Sequence, residues 1–315
     1  MDLPITALLQ EICPPKLHPL AADAEQQVQE WINAMTGLPP SFLEKYRHAA
    51  FGILTAGLYP QCTAAQLMMF SRYILWIFMH DDFFGPMPPA AIQASSEEAI
   101  RILRGASSLD HPIMQQLAIL QQELVPYVDA AWQERFIQHM SDFFTSIAIE
   151  RGYNYNPSLT YPSLDTYLAL RLQSTASFTL IDLAQVAAAQ LMPDALLHHP
   201  DISRLTILAN KATGWTNDYF SFAKEENLET TNLIFVLQHT CQYSREEALA
   251  ATIRQYNEVI LEFKSVLNRL PDFGDQQSLV ENYIQGLKWV ISGHLNWYSY
   301  TKRYQMNPFS TTPHQ

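Results

Sequence analysis

The sequence predicts an all-α protein folded as a single domain, and three observations lead there. No segment shows the period-two alternation of a strand, whereas long segments repeat apolar residues at helical spacing. Prolines, glycines and capping residues fall between those segments and divide them into about ten helices. No repeat, low-complexity linker or change of composition marks a second domain within the 315 residues.

Residues 1–22 are punctuated by Pro4, Pro14, Pro15 and Pro19 and read as extended. A first helix runs from Ala22 to Met35 and stops at Gly37-Leu38-Pro39-Pro40. A second spans Ser41 to Leu58, closed by Tyr59-Pro60. Thr63-x-x-Gln66 is a capping box that opens the next helix, which ends at Asp82. Gly85-Pro86-Met87-Pro88-Pro89 is then a loop, because its prolines cannot continue a helix. Ser95-Ser96-Glu97-Glu98 marks another start, with Gly105 as its stop. From Pro112 to Arg151 the pattern is helical with a kink or break at Pro126, and Gly152 to Pro162 is a turn-rich loop. Ser163 opens a long helix toward Gln190, weakened by the poor helix formers Gln173-Ser174-Thr175. Pro193 and Pro200 bracket a short connection to a proline-free helix from Asp201 to Glu226. Asn227 to His239, Ser244 to Leu270 (capping box Ser244-x-x-Glu247) and Asp275 to Tyr304 complete the helices, leaving 305–315 as a mobile tail.

A hydrophobic share of 48% with 16% charged residues describes a globular chain able to bury a large core with a cavity inside it. Glycine is scarce, and no Gly-rich nucleotide loop appears. A net charge of −12 argues against nucleic acid as a partner. It still allows an anionic diphosphate held by metal and a few placed cations. Cys13, Cys62 and Cys241 lie far apart with no metal or disulfide spacing, so reduced thiols are expected. The first residues lack the basic-then-apolar pattern of a secretory signal. The most apolar segment, from Tyr73, breaks at His80-Asp81-Asp82, short of the ~18 apolar residues of a membrane span. A cytoplasmic protein without stable membrane insertion is the expectation, as a monomer or homodimer.

Candidate chemistry concentrates in the helix that ends at Glu226. Asn217, Ser221 and Glu225 are four apart and so share one helix face, as a line of oxygen donors roughly 12 Å long. An amide oxygen, a hydroxyl and a carboxylate suit a hard cation such as Mg²⁺. Lys224 stands beside them as a phosphate contact, while Asp218 is turned about 100° away from Asn217 and reads as a structural carboxylate. On the earlier apolar helix, Asp81 and Asp82 are costly to bury unless a cation or water receives them.

Together these residues resemble the two metal motifs of the class I terpene synthases, the terpene cyclases of bacteria and fungi. The second motif, N-D-x-x-S-x-x-x-E, is complete from Asn217 to Glu225, with Lys224 as in bacterial members. The first is shortened, since Asp81-Asp82-Phe83-Phe84-Gly85 lacks a third acid. Arg171 stands 46 residues before Asn217, where bacterial members carry an arginine that senses diphosphate. Trp297-x3-Thr301-x-Arg303-Tyr304 is similar to the family's closing motif, whose Arg and Tyr bind diphosphate.

The resemblance implies a helical bundle around a central cavity, and a Mg²⁺-dependent lyase that uses three ions, with Mn²⁺ as a substitute. The substrate would be an allylic prenyl diphosphate, with C15 farnesyl diphosphate preferred and C20 geranylgeranyl diphosphate the alternative. Asp81, Asp82, Asn217, Ser221 and Glu225 would form the metal set, although the family's second aspartate often holds an arginine instead. Arg171, Lys224, Arg303 and Tyr304 would hold the diphosphate. Ser174 and Thr175 would occupy a helix break whose second residue turns its carbonyl toward the cation. Phe78, on the helix face below Asp81, and Trp297 would line the cavity with aromatic faces, which attract cations; Tyr73, Trp76 and Trp215 carry less support. His80, His198 and His199 lack zinc-ligand company and read as structural or exposed. A chain-elongating prenyltransferase would carry two Asp-Asp-x-x-Asp motifs, which this chain does not. A non-catalytic isoprenoid-binding bundle or a helical scaffold would leave the spaced ligands unexplained.

Overall fold

The computed structural model describes residues 7–107, 111–154 and 158–304. Among them every regular element is helical. The first seven helices are α1 (Ala7–Ile12), α2 (Ala21–Ala34), α3 (Pro40–Glu44), α4 (Phe51–Leu58), α5 (Ala64–Phe84), α6 (Pro89–Leu103) and α7 (Pro112–Leu124). The middle of the chain gives α8 (Ala130–Glu150), α9 (Leu164–Ser174), α10 (Ser177–Ala187) and α11 (Asp194–Leu197). Last come α12 (Pro200–Glu225), α13 (Leu233–Thr240), α14 (Arg245–Asn268) and α15 (Gln277–Trp297).

Both capping boxes form: Thr63 and Gln66 exchange bonds at the start of α5, and Ser244 and Glu247 do so at the start of α14. Pro126 ends α7 in a short 3₁₀ turn, because its missing N–H and its ring cannot be fitted into a helix interior. Elsewhere the expected elements divide. The 1–22 segment contains the helix α1, and residues 1–6 and the 305–315 tail lie outside the described residues. The expected Ser41–Leu58 helix is two, separated at Ala50, which takes a left-handed conformation (φ 56°). The expected Ser163–Gln190 helix is also two, parted at Thr175 and the left-handed Ala176 (φ 54°). An alanine pays roughly 1–2 kcal/mol for that conformation, so surrounding structure holds both breaks. Helix α6 starts at Pro89 and not at Ser95, since a proline is well suited to the first turn. Helix α13 begins only at Leu233, where Asn232 caps it. Finally, α15 stops at Trp297 and the chain turns through Thr301 to Tyr304.

Packing between neighbouring helices closes them into a ring. Helix α12 packs on α14, α15, α13, α10 and α9; α15 packs on α4, α4 on α2 and α5, α5 on α7, and α8 on α6, α9 and α10. Glycines allow close crossings: a Cβ on Gly293 of α15 would stand 2.3 Å from the Gly57 carbonyl carbon on α4, and one on Gly52 of α4 would stand 2.2 Å from the Glu25 nitrogen on α2. The buried apolar side chains form one continuous cluster. Enclosed by the ring is a cavity whose floor is apolar and whose upper part is polar. No described helix is long and apolar enough to cross a membrane.

Candidate active site

Two chambers join within the ring, with Phe78, Asp81, Arg171, Ser174 and Asn217 on the wall of both. The apolar chamber lies between Leu54, Ile74, Ile77, Phe143 and Leu180. The polar chamber above it is bounded by Asp82, Glu150, Arg151, Lys224, Glu225, Glu229, Arg303 and Tyr304.

The α12 wall is knit together by hydrogen bonds. The Asn217 amide oxygen accepts from Arg171 at 2.8 Å, and its Nδ2 donates to the hydroxyls of Tyr298 (3.2 Å) and Tyr304 (3.4 Å). Glu225 accepts from Asn232 Nδ2 at 2.9 Å, and the same amide reaches the Ser221 hydroxyl at 3.5 Å. Ser221 is fully buried behind Asn217 and Glu225. Asp218 points away from them, as its place on the helix requires. It pairs with Arg171 at 2.6 Å and also accepts from the Tyr167 hydroxyl and the Leu233 amide. Burial opposes the charge on Arg171, but Asp218 and the other acids around it override that cost and hold its pKa above the usual arginine value.

The α5 wall separates its two acids. Asp82 is saturated: Arg303 Nη2 donates to both carboxylate oxygens at 2.9 and 2.8 Å, Tyr46 donates at 2.6 Å, and Lys45 stands 3.2 Å away. Burial alone would raise its pKa, yet Arg303, Lys224 and Lys45 hold it well below the carboxylate range. These contacts make Asp82 the anchor of Arg303, the role that the resemblance offered as the alternative to metal binding. Asp81 makes no side-chain hydrogen bond to a described residue and opens onto both chambers. Surrounding protein and then the Asp82 charge push its pKa up to about 6. Water in the cavity still reaches it, so the carboxylate is placed to accept a cation.

The closing motif folds over this wall. The Arg303 guanidinium, 5% exposed, lies 5.1 Å from the Phe78 ring centre, and the Lys224 ammonium lies 5.8 Å from that of Tyr304. Thr175 and Ser174 reach the apolar chamber at the α9–α10 break. Trp297 does not line either chamber. Its ring sits behind Phe51 and Phe78, and its indole N–H donates to the Ala49 carbonyl at 2.7 Å. That is a correction to the expected cavity-lining role: Trp297 buttresses Phe78, which does face both chambers. His80 is enclosed by Trp76, Phe84 and Phe144 with neither ring nitrogen hydrogen-bonded, and burial pushes its pKa down to about 3.

Several contributors carried no signal in the sequence. Tyr46 and Lys45 reach Asp82 only because the chain turns between α3 and α4. Glu150, at the end of α8, faces the polar chamber with one carboxylate oxygen unpartnered. Burial pushes its pKa up to about 7 against the opposing charge of Arg171. Glu229, on the same chamber, lies beyond the reach of a helical repeat from Glu225 because α12 has already ended.

Among the described residues no three His, Cys, Asp or Glu side chains converge at metal-binding distance. The donors on the polar chamber are instead a mixed oxygen set, Asp81 on one wall and Asn217 and Glu225 on the other, backed by Ser221. Such a set fits a hard divalent ion.

The family model described as "Terpene synthase family 2, C-terminal metal binding" matches residues 72–262, more than half of the chain. The chain belongs to the terpene synthases. Its sequence is 24% identical over 311 residues to germacrene A synthase of Nostoc punctiforme, covering 94% of this chain and 96% of that one. It is 27% identical over 296 residues to (+)-T-muurolol synthase of Roseiflexus castenholzii, covering 91% and 90%. Solved terpene synthases share the fold. Wild-type cucumene synthase superposes with a TM-score of 0.77 at 21% identity, over 96% of this chain and 100% of that one. Germacradien-4-ol synthase of Streptomyces citricolor gives 0.79 at 22%, over 91% and 96%. In this terpene synthase the matched segment begins on α5 and ends on α14, so both walls of the polar chamber fall inside it.

Proposed function

We propose that this terpene synthase is a Mg²⁺-dependent cyclase that ionises farnesyl diphosphate and closes the resulting carbocation into a C15 product with release of diphosphate. The observation that carries the reading is the junction of the chambers: donors and cations above, an apolar room below, and Asp81, Arg171 and Asn217 on the wall of both. A substrate with a charged head and a hydrocarbon tail fits that division. The choice of farnesyl diphosphate draws on relatives named as cyclising it, a 4-epi-cubebol synthase and the T-muurolol synthase above.

Asp81, Asn217, Ser221 and Glu225 would hold the metal. Bound there, metal ions would supply Lewis-acid charge to the departing diphosphate; three is the number the resemblance implies. Arg171, Lys224, Arg303 and Tyr304 would add donors to the same oxygens. Arg171 now bonds to Asn217 at 2.8 Å, so a cation at Asn217 would free its guanidinium toward the diphosphate. Asp82, Tyr46 and Lys45 would fix Arg303 in place throughout. Below, Phe78 would offer a π face to the cation, and the surrounding aliphatic wall would keep water away from it.

The test is incubation of the protein with C10, C15 and C20 prenyl diphosphates, with Mg²⁺ or with EDTA. Products are read by gas chromatography–mass spectrometry and diphosphate release is followed in parallel. A cyclic C15 product formed only with Mg²⁺ is expected. Turnover of the C20 substrate alone would move the assignment to a diterpene cyclase, and linear longer diphosphates with added isopentenyl diphosphate would contradict cyclisation.

A further inference from the structure

His294 is the imidazole of the apolar chamber, and nothing above uses it. It sits on α15, 7% exposed, facing the chamber together with Leu54, Ile74 and Leu180. Its position is fixed by the crossing next to it, where Gly293 backs onto Gly57 with no room for a Cβ on Gly293. Hydroxyls on the same chamber are engaged: Ser177 and Thr213 bond each other at 2.6 Å, and Thr175 accepts from the Ser177 amide at 3.2 Å. His294 differs. Its Nδ1 is buried without a hydrogen-bond partner, and its ring stands edge-on to Tyr298 at 5.3 Å. An unsatisfied buried polar group of this kind calls for an explanation. Burial, and then the charge of Arg171, push its pKa down to about 3, so the imidazole is neutral at ordinary pH.

We propose that His294 is the proton acceptor that ends the carbocation reaction in the apolar chamber, an inference that rests on the cyclase reading above. A C–H bond on the carbon next to the final cationic centre breaks, and its electron pair becomes the second bond of a C=C double bond. The proton moves to an imidazole nitrogen and then to released diphosphate as the product departs. Nδ1 is enclosed in protein, so the proton is assigned to Nε2. A weakly basic imidazole suffices, because a carbocation is a far stronger acid than an imidazolium. The product is therefore an olefin, and the face that His294 presents selects which carbon loses its proton.

The experiment compares wild type, His294→Phe and His294→Gln with farnesyl diphosphate and Mg²⁺, reading each product as a share of all products. Phenylalanine keeps the ring without nitrogen, and glutamine keeps polarity in a smaller side chain; circular dichroism verifies the fold of each. The wild-type olefin should fall at least ~10-fold in share in both variants, replaced by double-bond isomers or alcohols. Farnesyl diphosphate deuterated at the position that loses its proton in wild type should keep the deuterium in the replacement products. An unchanged profile in either folded variant overturns the assignment of His294 and leaves the cyclase reading intact. A wild-type product that is an alcohol alone overturns it without recourse to the variants. No terpene from wild type with any prenyl diphosphate overturns the cyclase reading and the inference with it.

Discussion

On α12 three oxygen donors stand four residues apart and share one face of the helix; on α5 two acids are adjacent and cannot. The difference decides their surroundings. Asn217, Ser221 and Glu225 are held as a set through Arg171, Asn232 and the tyrosines. Asp81 and Asp82 part company, one opening onto the cavity and the other bound to Arg303, Tyr46 and Lys45. Of these two adjacent carboxylates, one is open to both chambers and the other is tied to protein partners. The same division recurs on α12, where Asn217 faces the chamber and Asp218 grips Arg171.

The largest effect should come from the positions that face the chamber. Asp81→Ala or Glu225→Ala is expected to cut kcat at least ~10²-fold while helical circular dichroism is unchanged; a loss under tenfold in either would break the pairing of the two walls. The protein-facing acids should act on stability as well. Asp218→Asn or Asp82→Asn leaves a buried arginine without its counter-charge, at a cost of about 3–5 kcal/mol. Chemical denaturation should show that loss, and Asp81→Ala should show much less of it.

Glu150 sharpens the contrast through pH. Its folded pKa of about 7 lies above the ordinary 4.5, so the folded state holds the proton more tightly. Its favourable contribution is full below pH 4.5 and is lost as pH rises through about 7. Glu150→Gln should therefore gain on wild type between pH 5 and pH 8, by up to ~3 kcal/mol. Parallel melting curves at the two pH values check the sign. The smallest effect is expected behind the wall. Trp297→Phe gives up the bond to Ala49, costing ~1 kcal/mol, and should leave the product profile nearly unaltered. Phe78→Ala, which changes a surface of both chambers, should redistribute products.

Much of this was legible in the chain. Thr63-x-x-Gln66 and Ser244-x-x-Glu247 mark helix starts because a capping box is local chemistry, and the four-residue spacing on α12 fixes a shared face by geometry alone. The breaks at Ala50 and Ala176 were harder, because alanine carries no turn signal and only tertiary packing holds it left-handed. The second break was marked by the poor helix formers Gln173-Ser174-Thr175 and expected as a break from the resemblance. Pro88-Pro89 read as loop when it is also a helix start, a double meaning that proline has in any sequence. Asp82 and Trp297 show the other limit. Their partners, Arg303 and the Ala49 carbonyl, lie 221 and 248 residues away, and no spacing rule connects them.

The division of labour on α5 is tested most directly by Mn²⁺ electron paramagnetic resonance in the presence of inorganic diphosphate, comparing wild type with Asp81→Asn, Asp82→Asn and Glu225→Gln. Wild type should give a protein-bound Mn²⁺ signal that Asp81→Asn and Glu225→Gln lose. Asp82→Asn should keep the signal while needing more diphosphate to reach it, because Arg303 has lost its anchor. Loss of bound Mn²⁺ in Asp82→Asn with retention in Asp81→Asn would contradict the account.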